Sequence, residues 1–202
     1  MKVVLRTSVI CAVAILLNIL SAFLFYDCLH FPLFMDTIFT VTVVFYCGLF
    51  PGLAVGVLYN ICNVFFRVLI GMSFQPIIMA FGICGAIIAF VTWFFARKHE
   101  EFKISLPVTA LYLVLIAVTS SFCVVIVSGF IDFIKITFFY SPDMLSPVKQ
   151  FTDSFLQADF SLLVSCILGQ IPVSFIDRLI TTFLGYGVYR LMARFLGEPS
   201  WR

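Results

Sequence analysis

The chain has 202 residues, 63% hydrophobic and only 11% charged, with a net charge of +2 and a mean hydropathy of +1.18. A soluble domain carries about a quarter charged residues, so a soluble globular protein is excluded, and so small a net charge gives no footprint for nucleic acid. The apolar residues fall in runs of roughly 16 to 24, the length a helix needs to span a bilayer, and the period-2 alternation of a membrane barrel is absent. The fold class is therefore an all-α membrane protein: one polytopic domain over residues 1–202, embedded in a lipid bilayer.

The first span covers about 7–26, led in by Lys2 and Arg6 with no cleavage site for a signal peptide. Ser8 and Ala12, four apart on it, form a small-residue pair that reads as close packing or as a docking face for a partner. The second and third spans, about 35–50 and 52–71, form a hairpin whose uncharged Gly/Pro turn lies at Leu49–Pro51. Its other end is polar, with Asp36 and Thr40 four residues apart on the second span. Gly56, Asn60, Asn63 and Arg67 share one face of the third at spacings of 4, 3 and 4. Counted from the turn at 1.5 Å per residue, Asp36 and Arg67 rise to about 21 and 22 Å, and Asn60 and Asn63 to about 12 and 16 Å. An Asp36–Arg67 pair at the rim of an outward cavity is the expectation. Polar groups at such depth pair with one another or line something wet. Asn and Thr also tie membrane helices together, and Asp–Arg pairs can be structural, so helix glue and substrate contact both remain open.

The fourth and fifth spans cover about 74–96 and 106–130, with Gly82/Ala86 and Gly85/Ala89 repeating the small-residue spacing. A long connection, about 131–152, follows. An apolar piece over 152–170, broken by Asp159, reads as a half-inserted or outer-face helix, and the last span covers about 172–194 with Pro172 in its first turn. This gives six transmembrane helices. With the N-terminus inside, the inner face holds Lys2, Arg6, Arg97, Lys98, Lys103, Arg190, Arg194 and Arg202. The outer face holds Arg67, Lys135, Lys149 and Arg178. That is 8 cations against 4, in the sense of the positive-inside rule. All seven aspartates fall outside. The seven cysteines make no metal spacing and no CxxC pair, and His30 and His99 are far apart. They read as apolar fillers, with no metal and no cofactor implied.

The order of these features resembles a known family. An outer Asp-x-x-x-Thr (Asp36, Thr40) precedes a Gly-x-x-Pro-Gly turn (Gly48 to Gly52) with Gly56 four residues on, then Tyr59-Asn60. Late in the chain come Ile171-Pro172, Asp177-Arg178, Thr181 and Gly185. The pattern is similar to the substrate-binding S component of energy-coupling factor (ECF) transporters, over essentially the whole chain. Phe39 stands where the family has glycine, Tyr59 where it has threonine, and four residues separate Pro172 from Asp177. The nickel/cobalt branch begins Met-His; here Lys2 follows Met1. The resemblance implies uptake of a vitamin or similar micronutrient across a bacterial or archaeal plasma membrane, with both termini cytoplasmic. It implies a transmembrane coupling protein and two cytosolic ATPases as partners. Asp132, the 131–152 loop as a lid, and Asp177 and Arg178 become substrate-site candidates by position, and Ser8 and Ala12 the coupling-protein docking pair. The chain has no Walker A sequence with which to hydrolyse ATP. A membrane sensor that binds a ligand without transporting it is the alternative; the chain's end eight residues after Arg194 weighs toward transport. No paired carboxylates on one face, no His/Glu metal set and no Ser–His pairing in one segment point to an enzyme.

Overall fold

The computed structural model describes residues 2–98, 100–139 and 146–197. His99, Arg202 and the Ser141–Asp143 part of the expected lid lie outside the described residues. Helix α1 (Lys2–Ala22) runs on through a π-helical turn, Phe23–Cys28. It is followed by α2 (Ile38–Cys47) and α3 (Leu49–Leu69), and a 3₁₀ segment, Pro76–Phe81, leads into α4 (Gly82–Ala96). The short α5 (Glu101–Ile104), then α6 (Leu106–Phe139), α7 (Ser146–Gln157) and α8 (Leu162–Leu196), complete the described elements. Five stretches are long and apolar enough to cross a membrane: Val4–Cys28, Leu49–Leu69, Pro76–Ala96, Leu106–Phe139 and Leu162–Leu196. The ten-residue α2 is a shorter apolar helix, almost wholly buried among them. The protein is an all-α membrane protein.

The start of α1 and the end of α8 lie at one end of the bundle. The Arg6 guanidinium donates to the Tyr46 hydroxyl (2.6 Å) and to the Leu196 carbonyl (2.7 Å), joining the start of α1 to the ends of α2 and α8. The hairpin turn lies at this end too, and is tighter than expected. Gly48 alone breaks the helix, at φ 89°, and α3 starts at the next residue. Only glycine adopts that backbone without steric cost. At the opposite end a non-helical strap, residues 29–37, connects α1 to α2. Asp36 therefore sits on the strap and not on the helix, which corrects the expected span 35–50 and its Asp36/Thr40 face.

Close helix contacts form where side chains are absent. A Cβ built on Gly56 would lie 2.6 Å from the Gly85 carbonyl oxygen, so α3 and α4 touch backbone to backbone. The small-residue spacing of the fourth span, at Gly85, marks this crossing, while it is Gly52 that meets Val44 of α2. Gly129 of α6 meets Ile167 of α8, and Gly169 of α8 meets Thr152 of α7, in the same way.

The region after α6 differs most from expectation. Helix α6 has 34 residues, about 51 Å, and continues to Phe139 instead of ending near 130. Helix α7 covers 146–157 and packs antiparallel along the first half of α8, with Thr152 against Gly169 and Val148 in a cluster with Val173. A separate helix beside the last span is therefore present, but the expected boundaries 152–170 are wrong. The chain turns at Asp159 (φ 63°), and Leu162 already belongs to α8. Pro172 lies inside that 35-residue helix and does not start it. Among apolar neighbours, losing one backbone hydrogen bond at proline costs less than unwinding a turn and leaving several groups without partners.

Gly56→Leu is expected to force α3 from α4 and lower the unfolding midpoint in detergent by the equivalent of about 1–3 kcal/mol. Gly187→Ala, where a Cβ meets nothing within 4 Å, is expected to leave the midpoint unchanged or raised. Fluorescence-detected melting of the two variants checks this.

Candidate functional site

The strap and α8 meet through one guanidinium. Arg178 Nη1 donates to Thr37 Oγ1 (2.5 Å), and Nη2 to Asp36 Oδ1 (3.2 Å) and Asp177 Oδ2 (2.5 Å). Asp177 Oδ1 in turn accepts from the Met35 backbone N–H (2.7 Å), and the Met35 carbonyl accepts from Ser21 Oγ (2.7 Å). Met35 thus holds a left-handed backbone, φ 51°, pinned on both sides. A non-glycine residue stays in that region only when its surroundings impose it. The result is that Asp36 is turned inward. Asp177 and Arg178 are 0% and 4% exposed, while the Asp36 side chain keeps 23%.

Two connected cavities lie behind the strap. A chamber of about 600 Å³ is walled by Asp27, Asp36, Tyr59, Asn60, Asn63, Arg67, Asp132 and Lys135, with exposed Met72 and Ser73 at its mouth. A recess of about 80 Å³ continues from it, lined by Asp36, Thr37, Asn60, Ser128, Asp132, Gln170, Ser174 and Arg178 among others. Five residues border both: Phe34, Asp36, Asn60, Phe81 and Asp132. The third-span stripe thus faces a cavity, as its spacing predicts. Asn60 Nδ2 donates to the Gly56 carbonyl (3.1 Å), which leaves its Oδ1 as the free acceptor. Asp132 accepts from Gln170 Nε2 (2.6 Å).

Of the eight candidate binding residues, Asp36, Asn60, Asn63, Arg67, Asp132 and Arg178 line these cavities. Asp177 stands behind them and orients Arg178. Thr40 is a correction: it is fully buried and accepts a hydrogen bond from Asn18 Nδ2 (2.9 Å), while Asn18 Oδ1 accepts from the Phe39 N–H (3.0 Å). It ties α1 to the start of α2 and does not reach the cavities. The expected Asp36–Arg67 rim pair is also not made. Both face the same chamber, but Asp36 is held by Arg178 and Arg67 pairs with Asp27 (3.3 Å). Depth alone matched Arg67 to Asp36, whereas the strap brings Asp36 under α8. Ser8 and Ala12 are both exposed on α1, on a face with Leu5, Val9, Val13 and Leu16.

Several lining residues carried a signal that went unread. Gln170, Ser174 and Arg178 are spaced by four along α8, and Val124, Ser128 and Asp132 by four along α6. These are polar stripes of the kind recognised on α3. Phe34 and Phe81 carried none, being two of 26 phenylalanines. Among the described residues no cluster of His, Cys, Asp and Glu could hold a metal ion.

Comparison with family models, curated proteins and solved structures finds no match.

Double-mutant cycles separate the pairings. Arg67→Ala with Asp27→Asn is expected to show a coupling of about 0.2–1 kcal/mol, and Arg67→Ala with Asp36→Asn none. Arg178→Lys is expected to lower thermal stability sharply, because a single ammonium cannot serve the three acceptors of the fork.

Proposed function

We propose that this protein is the membrane-embedded binding subunit of an uptake system for a vitamin or similar small micronutrient. In this reading it lies in a bacterial or archaeal plasma membrane with both termini cytoplasmic, and it works with a separate coupling protein and two cytosolic ATPases. The observation that carries the reading is convergence. The early motif (Asp36, Asn60) and the late one (Asp177-Arg178) are more than 110 residues apart, yet Asp36, Asn60 and Arg178 line one recess, with Asp177 behind it, at one end of an apolar bundle. A volume of about 600 Å³ suits a molecule of vitamin size. Polar side chains gathered round a cavity are what a membrane protein retains for a ligand.

Two further features support the reading. The chamber end holds Arg67, Lys135, Lys149 and Arg178, while Arg6, Arg97, Lys98, Arg190 and Arg194 sit at the other end, with the start of α1 and the end of α8. Positive-inside asymmetry then directs the chamber outward. The exposed face of α1 around Ser8 and Ala12 presents small side chains against which a partner helix can pack closely.

Thermal-shift screening of vitamins and nucleobases on the purified protein tests the binding. A ligand at about 100 times its Kd is expected to stabilise by about 2.7 kcal/mol, and Asn60→Ala or Asn63→Ala to reduce that gain. A screen without a stabilising compound, together with protein that copurifies with none, would overturn the binding reading. Affinity capture from native membranes is expected to retain a coupling protein and ATPases; retention of a kinase alone would turn the reading to a sensor.

A further inference from the structure

We propose that the neck between chamber and recess is a site for an organic ammonium group, so that the solute is a cation or carries a cationic head. This rests on the binding reading above and narrows its substrate class. The five residues that border both cavities are Asp36, Asp132, Asn60, Phe34 and Phe81. Two are carboxylates, one offers an amide, two are aromatic rings, and none is basic.

The charges nearby leave this neck acidic. Among the described residues Arg178 is the one cation lining the recess, and it is shared between two carboxylates, Asp36 and Asp177. Asp132 reaches Gln170, a neutral partner, and Lys135 stands one turn further along α6 on the chamber wall. Asp36, Asp132 and Asp177 against Arg178 and Lys135 give 2 − 3 = −1. Arg67 and Asp27, further out, cancel each other. An unbalanced negative charge among buried side chains is costly unless a cation comes to it.

The available acceptors have the right chemistry. Asn60 Nδ2 is committed to the Gly56 carbonyl, so the amide presents its oxygen. Asp36 uses Oδ1 on Arg178 and Asp132 uses Oδ2 on Gln170, which leaves one carboxylate oxygen of each for a further donor. An ammonium group carries up to three N–H donors and no acceptor. Phe34 and Phe81 add aromatic lining, and an aromatic face attracts a desolvated cation. An anionic head would meet two carboxylates in the neck, and the Arg178 guanidinium beyond them is already held by Thr37, Asp36 and Asp177, with only its Nε–H unpartnered.

The test is thermal-shift titration of the full-length protein with phenethylamine, tetramethylammonium, phenylethanol and phenylacetate, with sodium chloride at equal ionic strength as control. Stabilisation by the two cations, and none by phenylacetate, is expected. Asp132→Asn keeps an acceptor for Gln170 and is expected to weaken cation binding at least about tenfold. Phe81→Leu keeps the apolar bulk and is expected to weaken it a few-fold. The proposal is overturned if phenylacetate stabilises as well as phenethylamine, if no cation stabilises more than sodium chloride, or if folded Asp132→Asn protein binds the cations as before. A neutral or anionic vitamin that stabilises the protein through Asn60 and Asn63 would overturn the ammonium site and leave the binding reading standing. Failure of every compound, vitamins included, would overturn both.

Discussion

The Arg178 fork is the interaction on which the chamber end depends. Its planar donors hold Thr37 and Asp36 of the strap and Asp177 of its own helix, and Asp177 holds the Met35 N–H. Each partner is needed by the others. Without Arg178, two carboxylates would face each other across an apolar bundle; without the strap, a buried guanidinium would lose two acceptors. Breaking a buried pair from one side costs about 3–5 kcal/mol. The left-handed backbone of Met35 persists because both its N–H and its carbonyl are held. A second, apolar anchor reinforces the first. Leu33, Met35 and Ile38 pack with Val148 of α7 and Val173 of α8, so α7 also presses the strap in place.

The cavity walls depend on the opposite property, the absence of side chains. The Gly56/Gly85 contact brings α3 and α4 together one turn below Asn60, and Gly85 itself lines the recess. Gly129 against Ile167 brings α6 and α8 together next to Ser128 and Gln170. Each polar wall is thus placed by a glycine crossing beside it. Backbone contact at the crossing leaves room above it, where longer polar side chains line the recess of about 80 Å³. Small residues in this chain therefore do more than pack helices; they set the width of the recess.

How much of this was legible in the sequence follows from the range of the interactions. Helical spacing is local, so the α3 stripe of Asn60, Asn63 and Arg67 was readable, and Gly82/Ala86 and Gly85/Ala89 marked a real contact. The same reading applied to Gln170, Ser174 and Arg178 would have completed the recess. What could not be read was the partner of Asp36. Depth counting assumes that a residue lies on a helix, and Asp36 lies on the strap, 142 positions before the arginine that holds it. Pro172 misled for a related reason. In water a proline often marks a helix start, but among apolar helices the unbroken backbone wins, and α8 passes straight through it. Thr40 shows the remaining weakness: a buried threonine in a motif position looks the same whether it meets a solute or, as here, Asn18.

The two ends of the bundle also differ in what lies between them. Cys84, Ile88 and Val124 line the recess and belong to the same apolar cluster as Phe45, Phe102 and Tyr189. Phe45 stacks on Tyr189 and meets Phe102 and Tyr186 edge-on. Beyond it the Arg6–Tyr46–Leu196 bonds tie the terminal end. A solute in the recess thus faces a dry aromatic floor on one side and the strap, held by charge, on the other. Opening the floor would mean repacking a cluster of buried and half-buried rings around the fully buried Phe45, whereas the chamber mouth is bounded by exposed Met72 and Ser73 and by the half-buried Asp27–Arg67 pair, which is worth little. The easier path lies at the mouth. Under the proposed binding function the mouth is the side by which a solute would enter, and passage past the floor would require that aromatic cluster to repack.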